Sequence, residues 1–523
     1  MTKEPRDTGR LTGGLLFAVL FIVAAQFISF RLFIFDTGFY NDDWVSIARY
    51  LRADSIGGVF REFAAYKQVW TRPIGILLYP LQYTLTGGAE RPFAGQLILL
   101  LFDAVESVLF LLVMLRLTRS RRFSLAAALF MSLFPNRAVT HFWMVLTPQP
   151  LGHILVLTSF LLHWDGLEAR RFGRLAAAQL CYVLGALCYE SAMLTPLLLF
   201  AAILHDQASR RELPAALWES VKRMAPYGAS FLLVVGWQRW GIMAFLDWEN
   251  PKEIAFSASH FFKAFGAGFE CVTNRVLHIC ALAAPEAWRN FGASYWLLWG
   301  LLVIFVGEAV YRADGFADSP RVRPGRAGLM IAALFVGSYA PYALSGSYMP
   351  QIFGIMSRTN GTGAWVGGML LAWLFEGLLR LRPKSDKVRF VECVLAASIV
   401  GAFTWTNGQA ARDYAESWKL QRSVLAGIAR HSPDLPDNSV VLLKGVPRQS
   451  GRAVVFDASY DFDYALRCAT GRAHLSGRLM SPDTRYEADG FVLADFGFER
   501  KFAYDKLYFY DYPRDVLERV TPP

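Results

Sequence analysis

PFAGQLILLLFDAVESVLFLLVML, residues 92–115, carries only two charged side chains, Asp103 and Glu106, and is followed closely by Arg116, Arg119, Arg121 and Arg122. As a helix it reaches about 36 Å at ~1.5 Å per residue, enough to cross the ~30 Å hydrocarbon layer of a bilayer. A run so long, so apolar and closed by arginines reads as a membrane span. Similar runs recur along the chain, so this reading decides the fold class. Of 523 residues, 54% are hydrophobic and 18% charged, and the mean hydropathy is +0.30. Adding the 42 glycines lifts the apolar share to roughly 62%, against ~45–50% in soluble domains. Too little charge remains to cover several soluble domains. The same composition excludes a disordered chain, a collagen repeat and a disulfide scaffold.

The formal net charge of +10 does not form a nucleic-acid face. Basic residues gather in short clusters between apolar runs, at Lys3 to Arg10, Arg116 to Arg122, Arg170 to Arg174, Arg210 to Arg223, Arg312 to Arg326 and Arg380 to Arg389. Such clusters beside span ends mark the cytoplasmic side. Spans are expected at 11–35, 92–115, 123–142, 148–165, 174–189, 191–206, 224–243, 293–311, 327–344, 361–380 and 389–406. With eleven passages every cluster falls inside. The N-terminus is then cytoplasmic and the C-terminus outside.

Three stretches face outward on this reading. Loop 36–91 holds amphipathic pieces at 43–53 and 59–66. Loop 247–290 is aromatic and suited to the interface. A polar tail, 407–523, reads as a helix over 410–430 followed by short strands near 440–444, 453–456, 491–494 and 506–510. The expected fold is therefore an α-helical polytopic bundle, residues 1–406, with a small extracytoplasmic α/β or α+β domain. Of six cysteines, Cys271 and Cys280 share an outer loop and could be bridged or free.

Chemistry concentrates in few places. Phe39-Tyr40-Asn41-Asp42-Asp43-Trp44 follows the first span, and two adjacent carboxylates beside lipid raise each other's pKa. Such a pair suits a general base or a cation site, or it could cap the helix starting near Trp44. Lys67-Gln68-Val69-Trp70-Thr71-Arg72-Pro73 places a guanidinium where the chain re-enters apolar sequence. There it could hold a phosphate through a bidentate fork or anchor at the interface.

Taken in order, these segments resemble the GT-C superfamily of membrane glycosyltransferases. Leu133-Phe134-Pro135-Asn136-Arg137-Ala138-Val139-Thr140-His141-Phe142-Trp143 resembles the "HP-x-x-x-x-V-x-x-x-W" turn of bacterial relatives of protein O-mannosyltransferases. Tyr189-Glu190-Ser191-Ala192-Met193-Leu194-Thr195-Pro196 resembles their "KE-x-A-x-x-x-P", and Ser357-Arg358-Thr359-Asn360 their "ERYLY"-type segment. Two departures stand out: Tyr189 replaces the lysine and Phe134 the histidine. The resemblance covers roughly residues 10–405 and implies inverting sugar transfer from a polyprenyl-phosphate-linked donor to a glycan, lipid or protein acceptor. Asp42 would match the general base. Asp43 would orient it or hold a divalent cation. Lys67, Arg72 and Arg358 would grip the donor phosphate, with Glu190, His141 and Trp143 as further site candidates. His153 is weaker, as a lone histidine near a span end.

Rival readings are a lipid or glycan transporter or flippase, to which Asp103, Glu106 and Glu376 within spans would belong, and a glycan polymerase or ligase. Alanine- and arginine-rich composition leans toward a bacterial inner membrane.

Overall fold

The computed structural model describes residues 8–246, 257–311, 322–346, 348–380, 386–480, 484–495 and 498–522. Lys3, Arg6, Arg312, Arg321, Arg382 and Lys384, which helped set the expected topology, lie outside these residues. A helix occupies each of the eleven apolar stretches, and the chain is mostly helical with a small strand region at its C-terminal end. Among the described residues five stretches are long and apolar enough to cross a membrane: Pro92–Thr118, Met144–Ala169, Glu190–Ala208, Pro324–Ser345 and Phe390–Asp434. Leu16–Arg31, Phe172–Cys188 and Ala293–Glu308 are apolar but shorter. By length and apolarity, then, the structure supports five crossings of the expected eleven.

Local chemistry explains where the helices depart from expectation. The third, Arg121–Leu133, stops well before residue 142. Pro135 disfavours the α conformation at its predecessor, and Phe134 is extended, with φ −61° and ψ 117°. A separate short helix, Ala138–Phe142, follows. The same break occurs after Phe172–Cys188, where Tyr189 is extended and a 3-10 turn, Glu190–Ala192, precedes the helix Pro196–Ala208. These two breaks turn the chain at one end of the bundle. They carry Trp143 and Glu190.

Loop 36–91 is helical, with Asp43–Leu51 and Ile56–Ala64 near the expected pieces and an additional helix, Gly75–Leu85. The stretch expected as the second outer loop holds Ala258–Val272 and Asn274–Asn290, which expose Phe262, Phe269, Leu277 and Trp288 as an interfacial helix would. Cys271 and Cys280 are free thiols, so they are not bridged.

The expected boundary at residue 406 falls inside one uninterrupted helix, Asp386–His431. Its 46 residues extend about 69 Å at ~1.5 Å per residue. Beyond it lies a four-stranded sheet in the order Ser476–Leu479, Val440–Lys444, Leu507–Asp511, Val516–Arg519, the first three parallel and the last antiparallel. A helix not foreseen in the sequence, Ser459–Thr470, packs on this sheet. The expected strand near 453–456 shrinks to a two-residue ladder with Gln449–Ser450. A second antiparallel sheet, Arg485–Glu487, Gly490–Asp495 and Phe498–Phe502, completes the tail.

Among the described residues, beside two small clusters, two large apolar cores form. One fills the bundle around Phe110, Met114, Phe130, Met330 and Trp365. The other runs continuously from loop 36–91 through Trp143, Tyr414 and Trp418 into Phe456 and Phe462 of the tail. The acidic turn is embedded in this second core. Gly38 is required there, because a Cβ would lie 2.0 Å from the Trp418 ring.

Asp103 and Glu106 are one turn apart on Pro92–Thr118 and both are buried. Asp103 pairs with Arg31 at 2.9 Å and with His141 Nδ1 at 2.8 Å. Glu106 pairs with Arg137 at 3.1 Å and with His153 Nδ1 at 3.1 Å, and it accepts from Trp365 Nε1 at 2.7 Å. Both carboxylates are thus committed to fixed cations that hold neighbouring segments to the bundle. Breaking one such pair leaves a buried charge uncompensated, at a cost of about 3–5 kcal/mol. Glu106→Gln is therefore expected to lower the melting temperature in detergent sharply. Adding Arg137→Met should recover part of that loss.

Candidate functional site

The acidic turn is built by a tight reversal. Asn41 adopts a left-handed conformation, φ 49°, which asparagine tolerates better than most residues. Trp44 N–H then reaches the Asn41 carbonyl at 3.1 Å and the helix Asp43–Leu51 begins. Asp42 stands at the N-cap position but makes no capping bond with its side chain. The capping alternative therefore does not account for it.

The two carboxylates have different environments. Asp43 is fully buried, and its oxygens accept the Tyr40 N–H at 3.0 Å, the Tyr83 hydroxyl at 3.0 Å, the Val145 N–H at 2.8 Å and the Met144 N–H at 3.3 Å. Burial lifts its pKa to about 7 against the pull of these donors. With four donors on two oxygens, Asp43 is a structural tie, which does not fit the cation-ligand role expected of it. Among the described residues no group of three or more His, Cys, Asp or Glu side chains could hold a metal ion. Asp42 is only half-buried.

Around Asp42 the chain brings distant segments together. Its charge reaches Tyr66 and Tyr79 of loop 36–91 and Asp457 and Tyr460 of the tail. Tyr79 in turn lies within the field of Arg72. Arg72 pairs with Glu190 at 2.7 Å and lies over the Tyr189 ring at 3.9 Å. The tyrosine that departs from the resembled motif thus supplies a face for the guanidinium. Tyr342 senses Arg72, Glu190 and Arg358 together. Arg358 influences Asp457, which returns the circuit to Asp42.

Arg358 lies 5.5 Å from the ring centres of Trp143 and of Tyr348. Its backbone is fixed by Gln149 Nε2, which donates to its carbonyl at 2.9 Å. Neighbouring Asn360 donates to the Asn136 carbonyl at 2.8 Å. Among the described residues no carboxylate lies within ion-pair distance of Arg358. Lys67 is exposed at the head of the turn Lys67–Thr71 and is engaged by a neighbouring group. His141 belongs to the buried network instead, stacked on Phe30 at 3.9 Å. His153 bridges Glu106 and Ser191 there.

Asp457 and Tyr460 are the residues that sequence reasoning missed. Asp457-Ala-Ser-Tyr-Asp-Phe-Asp-Tyr464 concentrates acids and tyrosines in the tail, and that density was the available signal.

Asp43→Asn turns an amide NH2 toward buried N–H donors, which strands about two of them at ~1–3 kcal/mol each. The variant should melt well below the parent. Native Asp43 holds its proton up to about pH 7, whereas an unfolded aspartate releases it near ~4. The stabilisation tied to that proton is complete below ~4 and is lost as pH rises to 7. The melting-temperature gap between parent and variant should therefore narrow from pH 4 to pH 7 in a thermal-shift series.

No protein-family model matches the chain, and no curated protein does either. Among solved structures, the crystal structure of ArnT from Cupriavidus metallidurans bound to undecaprenyl phosphate aligns over 90% of this chain and 86% of that one, at 13% sequence identity and a TM-score of 0.42. A likeness this distant assigns no family to the chain.

Proposed function

We propose that the chain is an integral-membrane inverting glycosyltransferase. It would move a sugar from a polyprenyl-phosphate donor to an acceptor hydroxyl of a glycan, lipid or protein on the extracytoplasmic face. The observation that carries this reading is that Asp43, next to Asp42, is tied to the backbone of Met144 and Val145, beside Trp143, whose ring centre lies 5.5 Å from Arg358. A transferase of this kind needs a base on one side of the anomeric carbon and a cation on the other. Asp42, half-buried, takes the acceptor proton. The acceptor oxygen then bonds to the anomeric carbon as the bond to the phosphate oxygen breaks on the opposite side. Charge develops on the departing lipid phosphate, where Arg358 stabilises it.

Arg72 is engaged by Glu190, so a phosphate would have to compete for it. That ranks Arg358 first as the donor anchor, with Arg72 and Lys67 flanking. The cytoplasmic N-terminus and outer tail expected from the basic clusters suit a lipid-linked donor presented outside. Asp103 and Glu106, which a transport path would use, are tied to Arg31 and Arg137. That favours the enzyme over the transporter.

Asp42→Asn preserves volume and removes the base. Transfer from a radiolabelled polyprenyl-phosphate sugar should fall by about a hundredfold or more with an unchanged melting temperature, and near-parental turnover would refute the assignment. Lysine cannot reproduce the planar fork of arginine. Arg358→Ala should weaken donor binding more than acceptor binding, and Arg358→Lys should restore it only in part. Full restoration by lysine would mark Arg358 as an interfacial anchor.

A further inference from the structure

The C-terminal domain reaches into the acidic turn. Tyr460 Oη lies 2.6 Å from Asn41 Oδ1 and is also hydrogen-bonded to the Asp42 carboxylate. A phenol has one proton, and an ionised carboxylate is the stronger acceptor. The hydroxyl donates to Asn41 Oδ1 and shares its proton with the Asp42 carboxylate beside it.

The placement of Tyr460 is built, not incidental. Asp461 is fully buried and accepts the Asp457 N–H at 2.8 Å and the Ala458 N–H at 3.2 Å, which fixes the start of the helix Ser459–Thr470. Ser459 Oγ accepts the Leu479 N–H at 3.1 Å and ties that start to the sheet. The domain is held in turn by Arg452, which pairs with Asp413 at 2.8 Å on the long helix and with Glu286 at 2.8 Å on the outer loop. Asp457 emerges from the same fixed turn, where burial raises its pKa, the charges of Arg448 and Arg358 lower it, and that of Asp42 raises it.

We infer that the C-terminal domain supplies Tyr460 and Asp457 as positioning residues for Asp42, so that the reactive site is shared between bundle and domain. The inference deepens the proposed function and rests on it for the role of Asp42. It assigns the acid beside Asp42 to Asp457, across the domain junction, in place of the adjacent Asp43. The two residues act with opposite sign. A phenol donor favours the charged carboxylate, whereas a nearby negative charge disfavours it. Among the described residues Tyr66 and Tyr79, both from loop 36–91, also feel the Asp42 charge.

Opposite signs make the test sharp. The full-length protein in lipid nanodiscs is titrated by infrared difference spectroscopy, with the Asp42 carboxyl band assigned by its loss in Asp42→Asn. Tyr460→Phe should raise the Asp42 midpoint by about one pH unit, a roughly tenfold change in proton affinity. Asp457→Asn should lower it by a comparable or smaller amount. A domain with a merely structural role would change the melting temperature and leave both midpoints in place, and unmoved midpoints overturn the inference. Should Tyr460→Phe fail to fold, the Asp457→Asn midpoint decides alone. The readout does not depend on turnover. Shifted midpoints in a protein that transfers no sugar would overturn the functional reading and leave the shared site standing.

Discussion

The Asp43 carboxylate joins three parts of the chain that no apolar contact could register so closely. It accepts from the turn at Tyr40, from Tyr83 on the helix Gly75–Leu85, and from the two backbone N–H groups at Met144 and Val145. Hydrophobic burial is non-directional and would allow these segments to slide. Four donors converging on one carboxylate do not. Each of these bonds contributes about 0.5–1.5 kcal/mol, and keeping the proton up to about pH 7 spares the cost of burying a charge. With the turn held in this way, Asp42 has a fixed direction, and the aromatic core around Trp44, Trp143 and Trp418 packs against it.

Much of the bundle was legible in the sequence because its signal is additive. Runs such as 92–115 announce themselves by length, and clusters such as Arg116 to Arg122 mark their ends. Breaks were legible only in part. Pro135 and Pro196 were visible, but that Phe134 and Tyr189 would turn extended and stop their helices early depends on local backbone geometry. Crossing number is less legible, since a helix such as Arg121–Leu133 is apolar in pattern and still short.

The candidate site was legible where a single segment carries it and opaque where segments meet. Asp42, Arg72, Glu190 and Arg358 could be picked out one by one. Their pairing could not: Arg72 with Glu190 spans 118 positions, and Tyr460 with Asn41 spans 419. No periodicity encodes contacts of that separation. The adjacency of Asp42 and Asp43 also misled, because neighbours in sequence at the start of a helix point in different directions. One enters the core and one faces the shared space.

The helix Asp386–His431 has a mechanical consequence. Tyr414 and Trp418 lie along it, where Tyr414 takes the Tyr40 hydroxyl at 2.7 Å and Trp418 stacks on Trp44. From there to His431 the helix runs about 26 Å at ~1.5 Å per residue. It works as a lever with its fulcrum at the acidic turn. A tilt of ~5° moves the far end by about 2 Å, far beyond what a hydrogen bond of ~2.7 Å survives. The hydrogen bonds at the far end, from Arg430 and His431 to Asp515, therefore feel any tilt first, while the acidic turn at the fulcrum stays in place.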